Sequence, residues 1–273
     1  MLTRRLPLWV LAVAVAIPLA GQRAAWAGAD IQGISIGVSR FYVAGAPLPS
    51  NFWFGIECRT GPTYGDWWLS FTPPGKSEIV VQDYGLGFAY GGQYDTLAAL
   101  QADYPNGDYL VVFGNSGDSV TLNFTMPPLP TGFADITYPA NQQTGVPQKP
   151  TFTWASCQGY GQCIDLSVRA PDPAGTGEYL WYGPDTPLPI TATDWTPSND
   201  LPPTVNDWDW DWLRVSVLNQ NASPEVTGGG TSFEYVEYAS MRNDVNFQVL
   251  PEPATLSLLA LGGLGALLRR RRK

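Results

Sequence analysis

The segment PTFTWAS, residues 150–156, decides the fold class because its polar and aromatic side chains alternate. Successive side chains of a β-strand point to opposite faces of its sheet. Phe152 and Trp154 would therefore lie on one face, with Thr151 and Thr153 on the other. This alternation is typical of a strand with one buried face, and it predicts an all-β protein.

Similar short runs, rich in Val, Ile, Thr and aromatic residues, recur along the chain and are separated by predicted turns. Glycine and proline are common in turns, and the chain contains 29 glycines and 25 prolines. Such spacing is typical of β-sandwich domains. The runs are ISIGVSRFYV, NFWFGIEC, DWWLSFT, SEIVVQDY, DYLVVFG and SVTLNFTM in the first half, and CIDLSVRAP, EYLWYG, TATDWTPS, DWDWDWLRVSVLN, TSFEYVEY and VNFQVL in the second. Residues 95–102 predict one short helix, with Asp95 as its N-cap.

A proline-rich stretch, MPPLPTGF at residues 126–133, separates the two halves. Central strands do not tolerate proline, because it cannot donate to the ladder of hydrogen bonds. The sequence therefore predicts two β-sandwich domains, at residues 30–129 and 134–249.

The second half resembles the fibronectin type III-like domains of bacterial surface proteins. The resemblance rests on Tyr138-Pro139, Gly145-Val146-Pro147, the segment 150–154 and the strand Trp212-Leu213-Arg214-Val215. It implies an immunoglobulin-like sandwich that serves as a spacer or interaction module without catalysis.

The N-terminus has the features of a secretory signal peptide. Arg4 and Arg5 precede the apolar run LPLWVLAVAVAIPLA, which small residues follow. This order predicts a signal peptide over residues 1–27, with cleavage after Ala27 or Ala29 and export through the Sec translocon. A permanent N-terminal membrane anchor is the alternative.

The C-terminal segment PEPATLSLLALGGLGALLRRRRK, residues 251–273, combines an apolar run with a cationic end. The apolar run has fifteen residues and, as a helix, would span about 22 Å. The hydrocarbon core of a membrane is thicker, at about 30 Å. The segment predicts a short membrane-spanning helix with a cytoplasmic C-terminus. The membrane-flanking cations are Arg269, Arg270, Arg271, Arg272 and Lys273.

This tail resembles the PEP-CTERM sorting tail of exported bacterial proteins. The resemblance rests on the triplet Pro251, Glu252 and Pro253, on the short apolar run and on the terminal arginines. It implies recognition of the triplet by exosortase, removal of the tail, and delivery to the cell surface or extracellular matrix of a Gram-negative-type bacterium. A permanent single-pass anchor remains the alternative.

Charge and composition exclude several classes of function. Residues 30–250 hold seven Lys and Arg against twenty-three Asp and Glu, a net charge of −16, which argues against a nucleic-acid partner. The chain has no histidine, so Ser-His-Asp and Cys-His catalysis lack their base. Three cysteines without histidine cannot complete a four-ligand zinc site. No acidic pair stands out, and we predict that the protein is not an enzyme.

Two of the three cysteines bracket a short glycine-containing loop. Cys157 and Cys163 enclose Gln-Gly-Tyr-Gly-Gln between two predicted strands. In an oxidising compartment this spacing predicts a disulfide, with a stabilisation of about 2–2.5 kcal/mol from the closed loop. Cys58 is left over and is expected to be a small buried residue.

The repeat DWDWDW, residues 207–212, suggests a metal site. On a strand Asp207, Asp209 and Asp211 would share one face, and three carboxylates in a row suggest Ca²⁺. The alternative is a row of core-facing tryptophans with a solvated acidic face.

Aromatic residues suggest a second kind of site. Sugar rings stack on exposed aromatic side chains, and the candidates are Trp67, Trp68, Trp181 and Tyr182. The alternative is that these residues pack in the core.

The leading hypothesis for the function is a structural or adhesive surface protein. The alternative is a carbohydrate-binding module for extracellular polysaccharide.

Overall fold

The computed structural model describes residues 31–60, 68–83, 87–113, 118–171, 179–204, 210–228 and 231–250. This part of the chain is mostly β-structure with one short helix, which confirms the predicted all-β class. No helix within these ranges has the length and apolar character needed to cross a membrane. The predicted signal peptide and sorting tail lie outside the described residues.

Strands follow one another along the described chain with a single helix among them. The strands are β1 (Ile31–Val43), β2 (Ala46–Thr60), β3 (Leu69–Thr72), β4 (Ile79–Asp83), β5 (Gly87–Tyr94), β6 (Gly107–Phe113), β7 (Asp118–Phe124), β8 (Ile136–Tyr138), β9 (Gln143–Val146), β10 (Phe152–Trp154), β11 (Cys163–Pro171), β12 (Tyr179–Tyr182), β13 (Leu188–Pro189), β14 (Asp194–Trp195), β15 (Asp211–Gly228) and β16 (Thr231–Val249). The helix α1 spans Leu97–Asp103.

Most of these strands belong to one continuous sheet. Its order is β12-β11-β15-β16-β1-β2-β5-β4-β3-β6-β7, with β13 paired to β11 and β9 paired to β16. A second, small sheet has the order β14-β10-β8. The parallel pairing of β1 with β16 joins the first described strand to the last, from Gly33 opposite Glu234 to Val43 opposite Asp244.

Two hydrophobic cores pack against this sheet. The first core is built mainly from β1 to β7 and α1. The second is built mainly from β10, β11, β15 and the end of β16. Both lie against the same side of β16, because Phe233 and Tyr235 belong to the first core while Val245, Phe247 and Val249, in phase with them, belong to the second. We call the opposite side of β11, β15, β16 and β1 the outer face.

The predicted boundary between the two halves is visible, but it does not separate them. Residues 126–133 form no strand, as their prolines predict. Phe233 and Tyr235, assigned from the sequence to the second domain, nevertheless pack in the first core. The long strands β15 and β16 thus serve both cores, and the count of two domains stays a prediction.

Polar contacts hold the proline-rich segment in place between the cores. The Asn219 side chain donates a hydrogen bond to the Pro128 carbonyl at 2.7 Å, and Asn243 donates to the Ala134 carbonyl at 2.9 Å. Phe133 stacks on Tyr42, with ring centroids 4.3 Å apart. The segment is therefore anchored to the folded body at both of its ends.

The N-cap of the helix lies one residue later than the sequence predicted. It is Thr96, whose hydroxyl accepts a hydrogen bond from the Ala99 amide at 3.1 Å. Asp95, the predicted cap, accepts a hydrogen bond from the Ser50 hydroxyl instead. The prediction of Asp95 was wrong because two adjacent residues could both cap, and only the packing of Leu100 into the first core selects the register.

Glycines allow large rings to lie flat on the outer face. A Cβ at Gly37 would lie 2.4 Å from the Tyr238 carbonyl oxygen and 2.5 Å from its ring. A Cβ at Gly91 would lie 1.9 Å from the Trp53 ring. No real Cβ approaches that closely, so side chains at these two positions would displace the aromatic rings that cover the sheet.

Candidate functional site

A row of charged side chains crosses the outer face where the two cores meet. Asp165 pairs across strands with Ser216, and Ser216 pairs with Arg242. In the neighbouring row Arg214 pairs with Asp244. Because directly paired residues project from the same face of a sheet, these five side chains form one polar surface, which we call the arginine face.

Arg214 and Asp244 form a buried ion pair within the arginine face. Arg214 Nε donates to Asp244 Oδ1 at 2.9 Å, and Nη2 donates to Oδ2 at 2.7 Å. The two side chains are 11% and 8% exposed. Burial lowers the pKa of Arg214, but the adjacent Asp244 carboxylate more than offsets this and holds the pKa above its usual value. This two-pronged geometry is the strongest form of such a pair.

Arg242 has no such partner. Its side chain is 1% exposed, and its Nε and Nη1 are buried without a hydrogen-bond acceptor. The guanidinium lies over the Phe41 ring, 5.1 Å from the centroid. Burial, and then the charge of Arg214, lower its pKa to about 10, so Arg242 still carries its positive charge at neutral pH.

The two remaining members of the arginine face complete its polar lining. Ser216 is 1% exposed, and its hydroxyl is buried without a hydrogen-bond partner. Burial raises the pKa of Asp165 to about 6, although Arg242 and Arg214 act in the opposite direction. Asp165 is therefore mostly ionised at pH 7 and becomes neutral in mildly acidic solution.

An aromatic cluster lies beside the arginine face at the edge of the large sheet. Trp181 on the edge strand β12 pairs with Arg169 on β11, which pairs in turn with Trp212 on β15. The Arg169 guanidinium lies 4.0 Å from the centre of the Tyr179 ring and 4.5 Å from that of Trp212. We call these four residues the aromatic edge. Arginine held between two rings is a cation–π arrangement that fixes the position of both.

The structure separates the four predicted sugar-stacking residues. Trp181 belongs to the aromatic edge and is 49% exposed, whereas Tyr182 points to the other side of β12 and packs against the second core. Trp68 is 40% exposed but precedes β3, many strands away in the sheet. Trp67 lies outside the described residues. Tyr182 therefore does not share a face with Trp181, because side chains alternate along a strand.

The proposed metal ligands are only partly described. Asp207 and Asp209 lie outside the described residues, so the Ca²⁺ hypothesis stays a prediction. Asp211 is fully buried, and its Oδ2 accepts hydrogen bonds from the Thr204 hydroxyl at 2.7 Å and from the Val249 amide at 3.2 Å. Within the described ranges no three His, Cys, Asp or Glu residues come together as metal ligands would.

Asp211 therefore links the start of β15 to the end of β16. At residues 211 and 212 its place also contradicts the alternative view of the DWDWDW repeat, in which the tryptophans faced the core and the aspartates faced solvent. Asp211 pairs with Phe247 of the second core, while Trp212 lies on the outer face beside Arg169. The face of the strand was misjudged because large aromatic residues usually point inward.

All three cysteines are free thiols in the structure, which does not form the predicted disulfide. Cys157 is buried in the second core. Cys163 is half-buried and lies next to Ile164, whose side chain enters that core, so Cys163 points to the opposite side of β11. The Cys163 thiol thus lies on the opposite side of β11 from the core that contains Cys157. Cys58 lies in the first core.

We expect three free thiols per chain when the unfolded protein is titrated with a thiol reagent. In the folded protein at pH 8 we expect slow reaction, because burial raises the pKa of Cys58 to about 12 and those of Cys157 and Cys163 to about 11. Mass spectrometry of alkylated protein makes the count. A count of one would show that Cys157 and Cys163 are joined after all.

Comparison with known proteins identifies the C-terminal tail. Residues 249–273 match the family model described as the PEP-CTERM protein-sorting motif. This sorting motif implies an exported protein that is processed at the membrane. More particularly, the chain carries the PEP-CTERM motif, which implies sorting by exosortase.

Three solved structures match the chain with low TM-scores and low sequence identity. Three fibronectin domains, FN1–FN3, of chicken CNTN1 match with a TM-score of 0.21 and 14% identity, covering 81% of this chain and 69% of that one. The IG1+IG2 fragment of DIP-gamma matches with a TM-score of 0.20 and 11% identity over 82% and 99% of the two chains. Cadherin domains 3–6 of protocadherin gamma B2 match with a TM-score of 0.18 and 11% identity over 82% and 52%. At these TM-scores the likenesses carry no argument about function.

No curated protein matches the chain significantly.

Proposed function

We propose that this protein is a non-enzymatic structural or adhesive component of the bacterial cell surface or extracellular matrix. On this proposal the Sec translocon exports it, its tail holds it briefly in the inner membrane, and exosortase removes the tail. The observation that carries the proposal is the sorting motif at residues 249–273.

The join between the folded body and the tail supports this proposal. The last strand ends at Val249, and the Leu250 amide donates a hydrogen bond to the Val146 carbonyl at 2.9 Å. The triplet Pro251, Glu252 and Pro253 follows at once. Cleavage at or after the triplet would therefore leave both cores and the complete sheet intact in the released protein.

The test is the mass of the C-terminal peptide in protein isolated from its own cells. We expect a C-terminus near residues 251–253, with the five terminal cations absent. Replacing the triplet by three alanines should retain the full chain in the membrane fraction, and Thr255→Ala serves as a matched control within the tail. An intact Lys273 in the wild-type protein would instead show a permanent anchor.

A second candidate function is binding of saccharide at the aromatic edge. The observation that favours it is the exposure of Trp181, 49%, beside an arginine that is held between two rings. A flat aromatic ring on a rigid sheet edge offers a surface on which a sugar ring can stack without reordering the protein. Extracellular polysaccharide is the proposed partner.

This candidate is tested by a glycan-binding screen followed by titration of the best ligand. We expect Trp181→Ala to weaken binding by at least about tenfold, the loss that follows truncation of an aromatic anchor. Trp68→Ala is the matched control, since Trp68 is 40% exposed and lies outside the aromatic edge. Equal affinities of the two variants would remove the aromatic edge from consideration.

A further inference from the structure

The end of the sheet from which the tail leaves also carries the aromatic edge. β16 ends at Val249, and the strand pairings place the start of β15, the end of β11 and the start of β12 at this same end. Asn246 lies opposite Trp212 on β15. Trp212 lies opposite Arg169, which in turn lies opposite Trp181 on β12. The aromatic edge and the exit of the tail therefore share one end of the sheet.

Exposed apolar side chains are concentrated at this end. In the described part of the chain eight large apolar side chains are exposed, and four of them lie here. Leu250 directly follows β16, while Tyr179, Leu180 and Trp181 belong to β12, and we call these three residues of β12 the exposed corner. Leu180 is 39% exposed although it pairs with the fully buried Ala170. Apolar side chains exposed in succession on an edge strand indicate a surface that a partner covers.

The chain segment beside the tail is free of acidic residues. Residues 136–164 contain no Asp or Glu, although the folded body is strongly acidic. Within this segment β9 runs parallel to β16 and pairs with it up to Val146, opposite Val249. The turn that follows β9 therefore lies beside the tail, and it holds Lys149, the one charged residue of the segment. An acidic protein thus presents, where its tail begins, a segment that lipid phosphates do not repel.

We propose that this end of the sheet rests on the phospholipid headgroups while the tail spans the membrane, with the exposed corner in the headgroup layer and Lys149 beside the lipid phosphates. Trp and Tyr are enriched at this depth, because their rings have an apolar body and a polar group. The inference rests on the proposed function, since the tail must hold the body at the membrane, and it names the surface that the membrane contacts. Removal of the tail would uncover the aromatic edge.

The exposed corner lies within reach of the headgroups. Trp181 is level with Asn246, four residues before Leu250, which is about 13 Å along the strand. It is also three strand spacings away, about 14 Å to the side. A lean of about 45° around Leu250 therefore brings Trp181 to the level of Leu250. The three residues before the apolar run span at most about 11 Å. So short a link keeps Leu250, and with it the exposed corner, at the headgroups.

The experiment is fluorine NMR of the full-length protein, labelled with 5-fluorotryptophan and held by its intact tail in phosphatidylcholine nanodiscs. Trp→Phe variants assign the signals of Trp181, Trp212 and Trp68. A spin label on the lipid headgroup removes signal from nearby fluorines. We expect Trp181 and Trp212 to lose most of their signal, and Trp68, which is 40% exposed in the first half of the chain, to keep most of its own.

Substitutions separate the aromatic contribution from the cationic one. Trp181→Ala should lower the ratio of membrane-contacting to free bodies by about tenfold, read from the Trp212 signal. Trp68→Ala is the matched control and should leave that signal unchanged.

Lys149→Gln should lower the same ratio by about fivefold in nanodiscs that also contain phosphatidylglycerol, because one cation near an anionic membrane surface contributes that factor. Lys76→Gln is the matched control. Lys76 is an exposed cation of the first half, between β3 and β4, and its loss should leave the ratio unchanged.

The outcomes separate this inference from the proposed function. Equal loss of signal at Trp181 and Trp68 would show a body that turns freely on its tail, and it would overturn the inference while leaving the anchoring intact. An unchanged Trp212 signal in Trp181→Ala would overturn it as well. A protein that does not enter nanodiscs at all would contradict the anchoring by the tail, and the inference with it.

Discussion

Asp244→Asn is expected to lower the free energy of unfolding by about 3–5 kcal/mol, the typical loss when one partner of a buried ion pair is removed. The substitution leaves Arg214 with an amide in place of its carboxylate, although its side chain is only 11% exposed. Arg242 on the same face then also loses one of the two carboxylates that favour its charged form. Asp165 alone would then oppose the charges of the two buried cations. Urea denaturation measures the loss.

The matched control replaces both partners of the pair. Arg214→Met with Asp244→Leu removes both charges at similar volume, and such exchanges are often neutral or stabilising. We expect the double variant to recover most of the stability that Asp244→Asn loses. A loss below about 1 kcal/mol in the single variant would mean that the pair behaves as an exposed one.

Phe54→Ala is expected to lower the free energy of unfolding by about 3–5 kcal/mol, as for other large aromatic residues in cores. Phe54 is fully buried at the centre of the first core. Its ring stacks on Tyr104, with centroids 3.8 Å apart, and lies within 6.3 Å of the rings of Phe71, Tyr109 and Phe124. Truncation would leave a cavity that rigid rings cannot fill.

The control for this substitution is an exposed apolar residue of the same half. Leu110 is 43% exposed on β6, and Leu110→Ala should change stability by no more than about 0.5 kcal/mol. Chemical denaturation of both variants gives the comparison. Similar losses at the two positions would contradict the assignment of Phe54 to the centre of the first core.

Local alternation was enough to find many of the strands. The run CIDLSVRAP coincides with β11, and DYLVVFG and SVTLNFTM contain most of β6 and β7. The first and third of these segments alternate apolar and polar residues, so their buried faces follow from the sequence alone. In DYLVVFG the residues 109–113 are all apolar, and the sequence does not show which face is buried. The same alternation, applied to one strand at a time, could not show which strands become neighbours.

One strand was missed because its glycines resemble those of turns. The run GFAYGGQY forms β5, whereas the sequence favoured no strand there. A side chain at position 91 would clash with the Trp53 ring, which extends into that space from the neighbouring strand, so the position requires glycine. The reason for this glycine lies in a residue 38 positions earlier in the chain, which local patterns do not reveal.

The arginine face was missed for a related reason. The sequence predicted two strands, TSFEYVEY and VNFQVL, separated by a polar interval, but the structure has one strand of 19 residues. Ser240, Arg242 and Asp244 interrupt the apolar pattern because they point to the outer face, where they meet polar residues of β1 and β15. These polar residues, which lie between two predicted strands, were the feature of the sequence that could have indicated the arginine face.

The sequence by itself determined the all-β class, the approximate place of the proline-rich divide and the sorting tail, because each depends on residues that are close together in the chain. Only the tertiary structure decided that β1 pairs with β16, that one long strand serves two cores, and that Arg242 lies beside Ser216. These contacts join residues up to about two hundred positions apart. Their register follows from simultaneous burial of both cores, and no local pattern encodes that condition.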